Sequence, residues 1–248
     1  MEWKHKCSLD WLRERQIYLT ASDIHSLVPL TKTGRPRKIT DVDRMKILAS
    51  KNVTLTEDDC WSYGAAARGH IMEPYAIDAL NQTLKSYHTG EQFYHWDDKL
   101  ISLPDRSIAF SPDAMDITQE DHAKGENPHA IAEVKCYSID RHISTALSKK
   151  NEIEERWQIA TAMSLLDTID HAYLTLFNPS LNNSMKLVVI RFDRSELEDE
   201  ITMIHKIELD WVLFKLTGIR LPGQLLSTAG KSELQIMTEY RQSQNLNP

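Results

Sequence analysis

The chain has 248 residues, of which 41% are hydrophobic and 26% are charged, so it is large enough to bury one sizeable core. No apolar run is long enough to span a membrane. The net charge of −7 excludes a protein that binds nucleic acid through its whole surface, so any nucleic-acid-binding groups must be concentrated locally.

The cysteine content and the ends of the chain set further limits. The three cysteines have no metal-binding spacing, which indicates reduced thiols rather than a disulfide framework. The first residues are charged and lack the apolar stretch of a signal peptide, which predicts a cytoplasmic protein. We predict a single domain over residues 1–225, followed by a partly polar tail over residues 226–248 with the composition of a disordered segment.

Two short helices begin the chain. A helix over residues 9–16 is followed by an extended segment at residues 18–20. A second helix over residues 23–28 can be capped by Ser22, because a serine hydroxyl accepts hydrogen bonds from the first free amides of a helix. Arg15 precedes Ser22 by seven residues and belongs to the same region.

A basic loop follows the second helix. Residues 31–38 contain four cations, together with glycine and proline. The loop is either a solvated surface loop or an arm that contacts phosphates. In the second case the candidate DNA contacts are Arg35, Arg37 and Lys38.

Helical patterns dominate the next part of the chain. We predict a helix over residues 41–50 and a longer one over residues 57–84, where apolar residues recur at helical spacing. Pro74 disfavours helix at Glu73, so either a new helix begins near Pro74 or the helix kinks there. Both place Glu73 at an irregular point that suits a functional carboxylate. The alternative is an ordinary first-turn glutamate that complements the helix dipole.

The remainder alternates between strands and helices. We predict an antiparallel meander within residues 91–137, with strands near residues 92–96, 99–103, 108–110, 114–117 and 130–137. Helices are then predicted at residues 140–147, 152–166 and 195–216, with strands at residues 172–177 and 186–192. This order predicts an α/β or α+β fold in which helices flank a sheet.

One pair of strands carries a cluster of charges. Asp113 lies near the end of the first strand, and Glu133 and Lys135 lie two residues apart on the second, so they share one face. Two carboxylates and a lysine at a strand end provide what a hard divalent cation and a polarised water need. The alternative is a turn aspartate and an ordinary exposed strand face.

Five segments of the chain together resemble a known family. Between residues 12 and 179 the chain is similar to the phage-type alkaline exonucleases, the group of lambda exonuclease and the YqaJ-like viral recombinases within the PD-(D/E)XK nucleases. The matching pieces are Arg15 with residues 19–22, residues 69–73, residues 110–113, residues 132–135, and Trp157 with Gln158. The resemblance implies a restriction-endonuclease-like core with a central mixed sheet flanked by helices.

The resemblance also implies a metal-dependent catalytic centre. Asp113 and Glu133 would bind Mg²⁺, or Mn²⁺ as a substitute, with the backbone carbonyl of Val134 as a further ligand. Glu73 would approach a second metal position, giving up to two ions for each site. Lys135 would orient or deprotonate the attacking water and stabilise the phosphate.

Further residues have implied roles around that centre. Gln158 would support the site near the nucleophile. The residues similar to those that hold a 5′-phosphate in the family are Arg15, Ser22 and Ser111. A guanidinium can bind a terminal phosphate through two hydrogen bonds, and hydroxyl groups can complete such a pocket.

The implied activity is a 5′→3′ exonuclease for double-stranded DNA. It would release 5′-mononucleotides and leave a 3′ single strand for phage-type recombination by single-strand annealing. The implied partners are DNA ends, a single-strand annealing protein and two further copies of the chain in a homotrimeric ring, with no membrane. The implied location is the cytoplasm of a bacterial host, with the protein encoded by a phage or prophage.

Two other functions remain open from the sequence. The first is a restriction-like endonuclease, or a CRISPR-adaptation-type nuclease, with the same core. The CRISPR-adaptation type would be expected to carry a cysteine cluster, which the scattered cysteines do not supply. The second is a catalytically inactive protein that binds DNA ends.

Overall fold

A computed structural model describes residues 4–28, 39–96 and 99–217. The candidate DNA contacts Arg35, Arg37 and Lys38 and the tail over residues 226–248 lie outside these ranges. The described helices are α1 (Leu9–Ile17), α2 (Ala21–Leu27), α3 (Asp41–Lys51), α4 (Gly64–Ser86), α5 (Gln119–Ala123), α6 (Ile139–Leu147), α7 (Arg156–Leu165), α8 (Asn183–Lys186) and α9 (Glu198–Thr217). None of them has both the length and the apolar character needed to cross a membrane.

The described strands form three sheets. They are β1 (Lys4–Lys6), β2 (Leu19–Thr20), β3 (Trp61–Tyr63), β4 (Tyr94–His95), β5 (Ile101–Ser102), β6 (Ile108–Phe110), β7 (Ala114–Met115), β8 (Ala130–Lys135), β9 (His171–Phe177) and β10 (Leu187–Asp193). The largest sheet has five strands in the order β10-β9-β8-β7-β4. It is mixed, because β8 and β9 run parallel while its other pairs are antiparallel.

Helices cover both faces of the five-stranded sheet. On one face, Ile131 of β8 belongs to a large core that includes residues of α2, α7 and α9. On the other face, Ala132 and Val134 pack in a second core with α4. The alternation of β8 therefore places Glu133 and Lys135 on the opposite face from Val134, as the sequence predicts. The mixed sheet flanked by helices confirms the predicted fold class.

The predicted long helix over residues 57–84 is wrong at its amino end. Residues Glu57–Cys60 form a 3₁₀-helix, and Trp61–Tyr63 form β3, which pairs with β1. Gly64 then begins α4 with a φ of +60°, a left-handed conformation that glycine adopts without steric cost. No new helix begins at Pro74, which lies inside α4.

Two further local predictions need correction. The strands of residues 91–137 do not form one meander, because β5 and β6 belong to a three-stranded sheet with β2, whereas β4, β7 and β8 belong to the five-stranded sheet. The cap of α2 is Thr20 rather than Ser22, and Asp23 completes a reciprocal capping box. Ser22 lies in the first turn of α2, which leaves its hydroxyl available for other contacts.

Candidate active site

A cavity of about 290 Å³ lies at the carboxyl end of β8, between α1, α2, α4 and α7. All of the predicted site residues that the structure describes line it, although they come from distant parts of the chain. They are Arg15, Ser22, Glu73, Ser111, Asp113, Glu133, Val134, Lys135 and Gln158. The fold therefore brings together the predicted catalytic groups and the predicted phosphate-binding groups in one place.

Asp113 lies at the centre of the carboxylate cluster. Its Oδ2 atom accepts a hydrogen bond from the backbone N–H of Val134 at 2.6 Å, which fixes the carboxyl against β8. Burial, followed by the negative charges of Glu133 and Glu73, raises the pKa of Asp113 well above its ordinary value of 3.8. A cation at this position would relieve that repulsion.

Lys135 forms an ion pair with Glu133, and both side chains are largely buried. Burial alone would lower the pKa of Lys135, but the charges of Glu133 and Asp113 outweigh it and raise the pKa above the ordinary value of 10.5. Lys135 is therefore a cation in this arrangement. As a cation it can orient a water or contact a phosphoryl oxygen.

Glu73 lies beside two histidines that were not among the predicted site residues. Its carboxylate lies 3.2 Å from Nδ1 of His70 and 3.7 Å from Nε2 of His95. Burial raises the pKa of Glu73, but its interactions with His70 and His95 outweigh this effect and lower the pKa to about 2. His70 precedes Glu73 by three residues on one helix, so its proximity could have been predicted. Nothing in the sequence connects His95 with Glu73.

Arg15 and Ser22 form the predicted phosphate-binding side of the cavity. A guanidinium N–H of Arg15 donates to Oγ of Ser22 at 2.8 Å, and the Thr20 hydroxyl lies 3.1 Å from the same oxygen. The guanidinium carbon lies 4.6 Å from the ring centroid of Trp11. The Ser111 hydroxyl also lines the cavity and donates to the carbonyl of Lys99 at 2.8 Å.

A largely buried lysine anchors the backbone and Asp23 next to this side of the cavity. Lys51 of α3 lies 2.5 Å from the carboxylate of Asp23 and donates to the carbonyl of Arg15 at 2.8 Å. Asp23 in turn accepts a hydrogen bond from the Thr20 hydroxyl at 2.6 Å. Lys51 could not be predicted from the sequence, because only the tertiary structure brings α3 against α1 and α2.

Gln158 lies on α7 and faces the same cavity. Its Oε1 atom is buried and accepts no hydrogen bond within the part of the chain that the structure describes. A buried acceptor without a partner costs free energy unless a ligand supplies a donor. The amide is therefore suited to accept a hydrogen bond from a bound water or nucleotide.

The donor set fits a magnesium ion that is held by few protein ligands. Among the described residues, no group of three or more histidine, cysteine, aspartate or glutamate side chains is arranged to hold a metal. In this metal-free arrangement Lys135 pairs with Glu133, while His70 and His95 lie beside Glu73. Mg²⁺ commonly uses one or two carboxylates and completes its octahedron with waters and substrate phosphates, so this arrangement does not exclude it.

Comparison with known proteins identifies the class. Residues 10–174 match the YqaJ-like viral recombinase domain, and the chain belongs to that family. The predicted family is thereby confirmed. No curated protein sequence matches the chain.

The fold is shared with solved nuclease structures. The chain is similar to the alkaline exonuclease LHK-Exo from Laribacter hongkongensis, with a TM-score of 0.55 and 19% sequence identity over 84% of this chain and 97% of that chain. The complex of LHK-Exo with dAMP gives a TM-score of 0.54 with the same identity and coverage. This similarity confirms the predicted fold of the PD-(D/E)XK type.

Proposed function

We propose that the protein is a metal-dependent exonuclease that degrades double-stranded DNA from its 5′ end and leaves a 3′ single strand. One observation carries the proposal: a carboxylate–lysine cluster and an arginine–serine pocket share a single cavity. The first suits phosphodiester hydrolysis, and the second suits a terminal phosphate. The family and the fold support a nuclease of phage-type recombination.

The metal site in this proposal is built around the carboxylates. Asp113 and Glu133, with the carbonyl of Val134, would hold Mg²⁺ or Mn²⁺, and Glu73 would lie beside a second ion. When bound, the metal neutralises the phosphodiester charge and lowers the pKa of a coordinated water. Asp113 suits metal binding, because a hydrogen bond fixes its carboxyl and the neighbouring negative charges favour a cation there.

The other side chains position the substrate. Lys135, as a buried cation, donates hydrogen bonds to a phosphoryl oxygen and to the attacking water. Gln158 accepts a hydrogen bond from that water. The guanidinium and hydroxyl groups that bind the terminal 5′-phosphate belong to Arg15, Ser22 and Ser111. Since one end of the strand is held in this way, cleavage occurs at the terminus and releases 5′-mononucleotides.

The wider biological role is part of the same proposal. The protein would act on DNA ends with a single-strand annealing protein, as a homotrimeric ring, in the cytoplasm of a bacterial host of a phage or prophage. Residues 1–225 would form one exonuclease domain, with residues 226–248 as a tail. Further DNA contacts would come from the basic loop, through Arg35, Arg37 and Lys38.

The decisive experiment is digestion of an end-labelled linear duplex in Mg²⁺ and in chelator. The unaltered protein should release mononucleotides from 5′-phosphorylated ends only with metal. Asp113→Asn, Glu133→Gln and Lys135→Ala should each lower the rate by about 10²–10³-fold or more, since each removes charge stabilisation at the reacting phosphate. Lys124→Ala, which alters an exposed lysine of the surface, is the matched control and should retain the full rate.

The same assay tests the polarity of the enzyme and the alternative functions. Arg15→Ala should reduce the preference for 5′-phosphoryl over 5′-hydroxyl ends by about tenfold or more, because a charged hydrogen-bond donor is lost. If the preference for 5′-phosphoryl ends is unchanged, Arg15 does not bind the terminal phosphate. Degradation of closed circular DNA would favour an endonuclease. Binding of ends without any cleavage in Mg²⁺ would favour an inactive end-binding protein.

A further inference from the structure

A small two-stranded ribbon of β1 and β3 has an unusual composition on one face. The strands are antiparallel, with Lys4 opposite Tyr63 and Lys6 opposite Trp61. Because side chains alternate along a strand, these four share one face of the ribbon, while His5 and Ser62 share the other. Two lysines and two aromatic rings are thus grouped on the same surface, hereafter the ribbon face.

The side chains of the ribbon face contact one another. The Lys4 ammonium lies 4.1 Å from the Trp61 ring centroid and 5.6 Å from that of Tyr63. The Lys6 ammonium lies 5.6 Å from the Trp61 ring. Tyr63 is 54% exposed, although it is a large aromatic residue. Such cation–π contacts contribute only about 0.5–1 kcal/mol at exposed sites, so they do not by themselves account for an aromatic residue kept at the surface.

The opposite face of the ribbon connects it to the candidate active site. The His5 ring stacks on the His70 ring, with centroids 4.6 Å apart and an angle of 21° between the planes. His70 lines the cavity and lies 3.2 Å from the carboxylate of Glu73. The ribbon therefore adjoins the cavity through one stacked pair of rings.

We propose that the ribbon face binds the unpaired nucleotides of single-stranded DNA beside the cavity, an inference that rests on the proposed exonuclease function. Aromatic rings offer stacking surfaces to bases of any sequence, and nearby lysines contact the backbone phosphates. Tyr63 and Trp61 supply the rings, and Lys4 supplies the main phosphate contact. Lys6 contributes less, because its ammonium already pairs with Glu57 at 2.9 Å.

The chemistry of the ribbon face selects a single strand over a duplex. In a duplex the bases are stacked on each other and their faces are not available to a protein ring. An enzyme that removes one strand of a duplex leaves the other unpaired next to its active site. The ribbon face would hold that strand away from the cavity and prevent it from pairing again.

The test is fluorescence anisotropy in chelator, which prevents cleavage, with a labelled oligothymidine and a labelled blunt duplex. Tyr63→Leu should raise the Kd for oligothymidine by about 5- to 100-fold, because it removes one base–aromatic stacking contact. It should change the Kd for the blunt duplex by less than about twofold. Tyr63→Phe should bind as the unaltered protein does. Lys4→Gln should weaken oligothymidine binding and reduce its dependence on salt.

Two controls make the result specific. Tyr87→Leu alters another exposed tyrosine, at the carboxyl end of α4, and should leave both Kd values unchanged. Thermal unfolding of every variant establishes that the overall fold is retained. Equal oligothymidine binding by Tyr63→Leu and the unaltered protein would overturn the proposal, and so would an equal loss with Tyr87→Leu.

Failure of this inference can be distinguished from failure of the proposed function. Duplex cleavage in Mg²⁺ is measured on the same preparations. If the unaltered protein cleaves duplex DNA and Tyr63→Leu binds oligothymidine as the unaltered protein does, only the proposal for the ribbon face is contradicted. Absence of cleavage by the unaltered protein defeats the exonuclease proposal, and the anisotropy data then still decide whether the ribbon face binds a single strand.

Discussion

Asp113 has an unfavourable environment for a negative charge in the absence of a cation. Its carboxyl is enclosed by protein and faces the negative charges of Glu133 and Glu73, so its pKa is raised well above 3.8. A raised carboxyl pKa means that the folded protein binds this proton more tightly than the unfolded chain does. By linkage, the contribution of Asp113 to stability is complete below its unfolded pKa and is lost as pH rises through its folded pKa.

We therefore predict that Asp113→Asn stabilises the metal-free protein above the pKa of the folded-state carboxyl. Asparagine keeps an acceptor for the Val134 N–H but removes the buried charge. In chelator, the difference in unfolding free energy between variant and unaltered protein should grow in favour of the variant from about pH 4 upward. Chemical denaturation at several pH values measures this, and parallel pH profiles for the two proteins would contradict it. Mg²⁺ should raise the stability of the unaltered protein more than that of the variant.

At the scale of single elements, α4 shows where local patterns are sufficient and where they are not. The apolar spacing that predicts a helix is present, and its buried residues Ala76, Ile77, Leu80 and Leu84 pack against the sheet. Residues 61–63 are different, because β3 forms only by pairing with β1, more than fifty residues earlier in the chain. Local periodicity contains no information about such a partner.

The same distinction explains the candidate site. Asp113, Glu133 and Lys135 could be found because the alternation of a strand and a resemblance to a family both point to them. His95 could not be found, because its proximity to Glu73 depends on how β4 joins the five-stranded sheet. Lys51 was missed for a similar reason, since its contacts with Asp23 and Arg15 cross between separate helices.

Pro74 provides a prediction for α4. Proline has no N–H to donate to the carbonyl of His70 four residues earlier, so Pro74→Ala can restore that bond and should raise the unfolding free energy by up to about 3 kcal/mol. It should also lower the cleavage rate, because the restored hydrogen bond would shift the helix backbone that positions Glu73. Urea denaturation and the nuclease assay measure the two effects. The control is Asp78→Ala, at an exposed position of the same helix, which should raise the unfolding free energy slightly and leave the cleavage rate unchanged. If Pro74→Ala is stable and fully active, the proline has no role in the site.

At the scale of the whole molecule, a largely buried ion pair joins α9 to the residues that directly precede β6. Glu208 of α9 accepts hydrogen bonds from the backbone N–H of Ser107 at 2.6 Å and from Nε of Arg106 at 2.8 Å. It is only 4% exposed. The sequence predicts the apolar stripe of α9 from its spacing, but it does not reveal this polar anchor, because the partners are about one hundred residues apart.

We predict that Glu208→Ala destabilises the protein by about 3–5 kcal/mol, because it leaves the guanidinium of Arg106 and the N–H of Ser107 without their partner. Urea denaturation measures the loss. Asp199→Ala, an exposed change on the same helix, is the matched control and should cost only a few tenths of a kcal/mol. If Glu208→Ala lowers the unfolding free energy by less than about 1 kcal/mol, water replaces the hydrogen bonds of the Glu208 carboxylate.

The position of β1 has a practical consequence for recombinant protein. Any peptide fused ahead of Lys4 must leave the molecule from a ribbon whose His5 stacks on His70, and His70 lines the cavity. Each extended residue of a purification handle adds about 3.3–3.6 Å of reach towards the cavity. Histidine-rich handles would also bring metal chelators next to the carboxylates. Enzymatic assays are therefore best performed with the handle removed or placed at the carboxyl end.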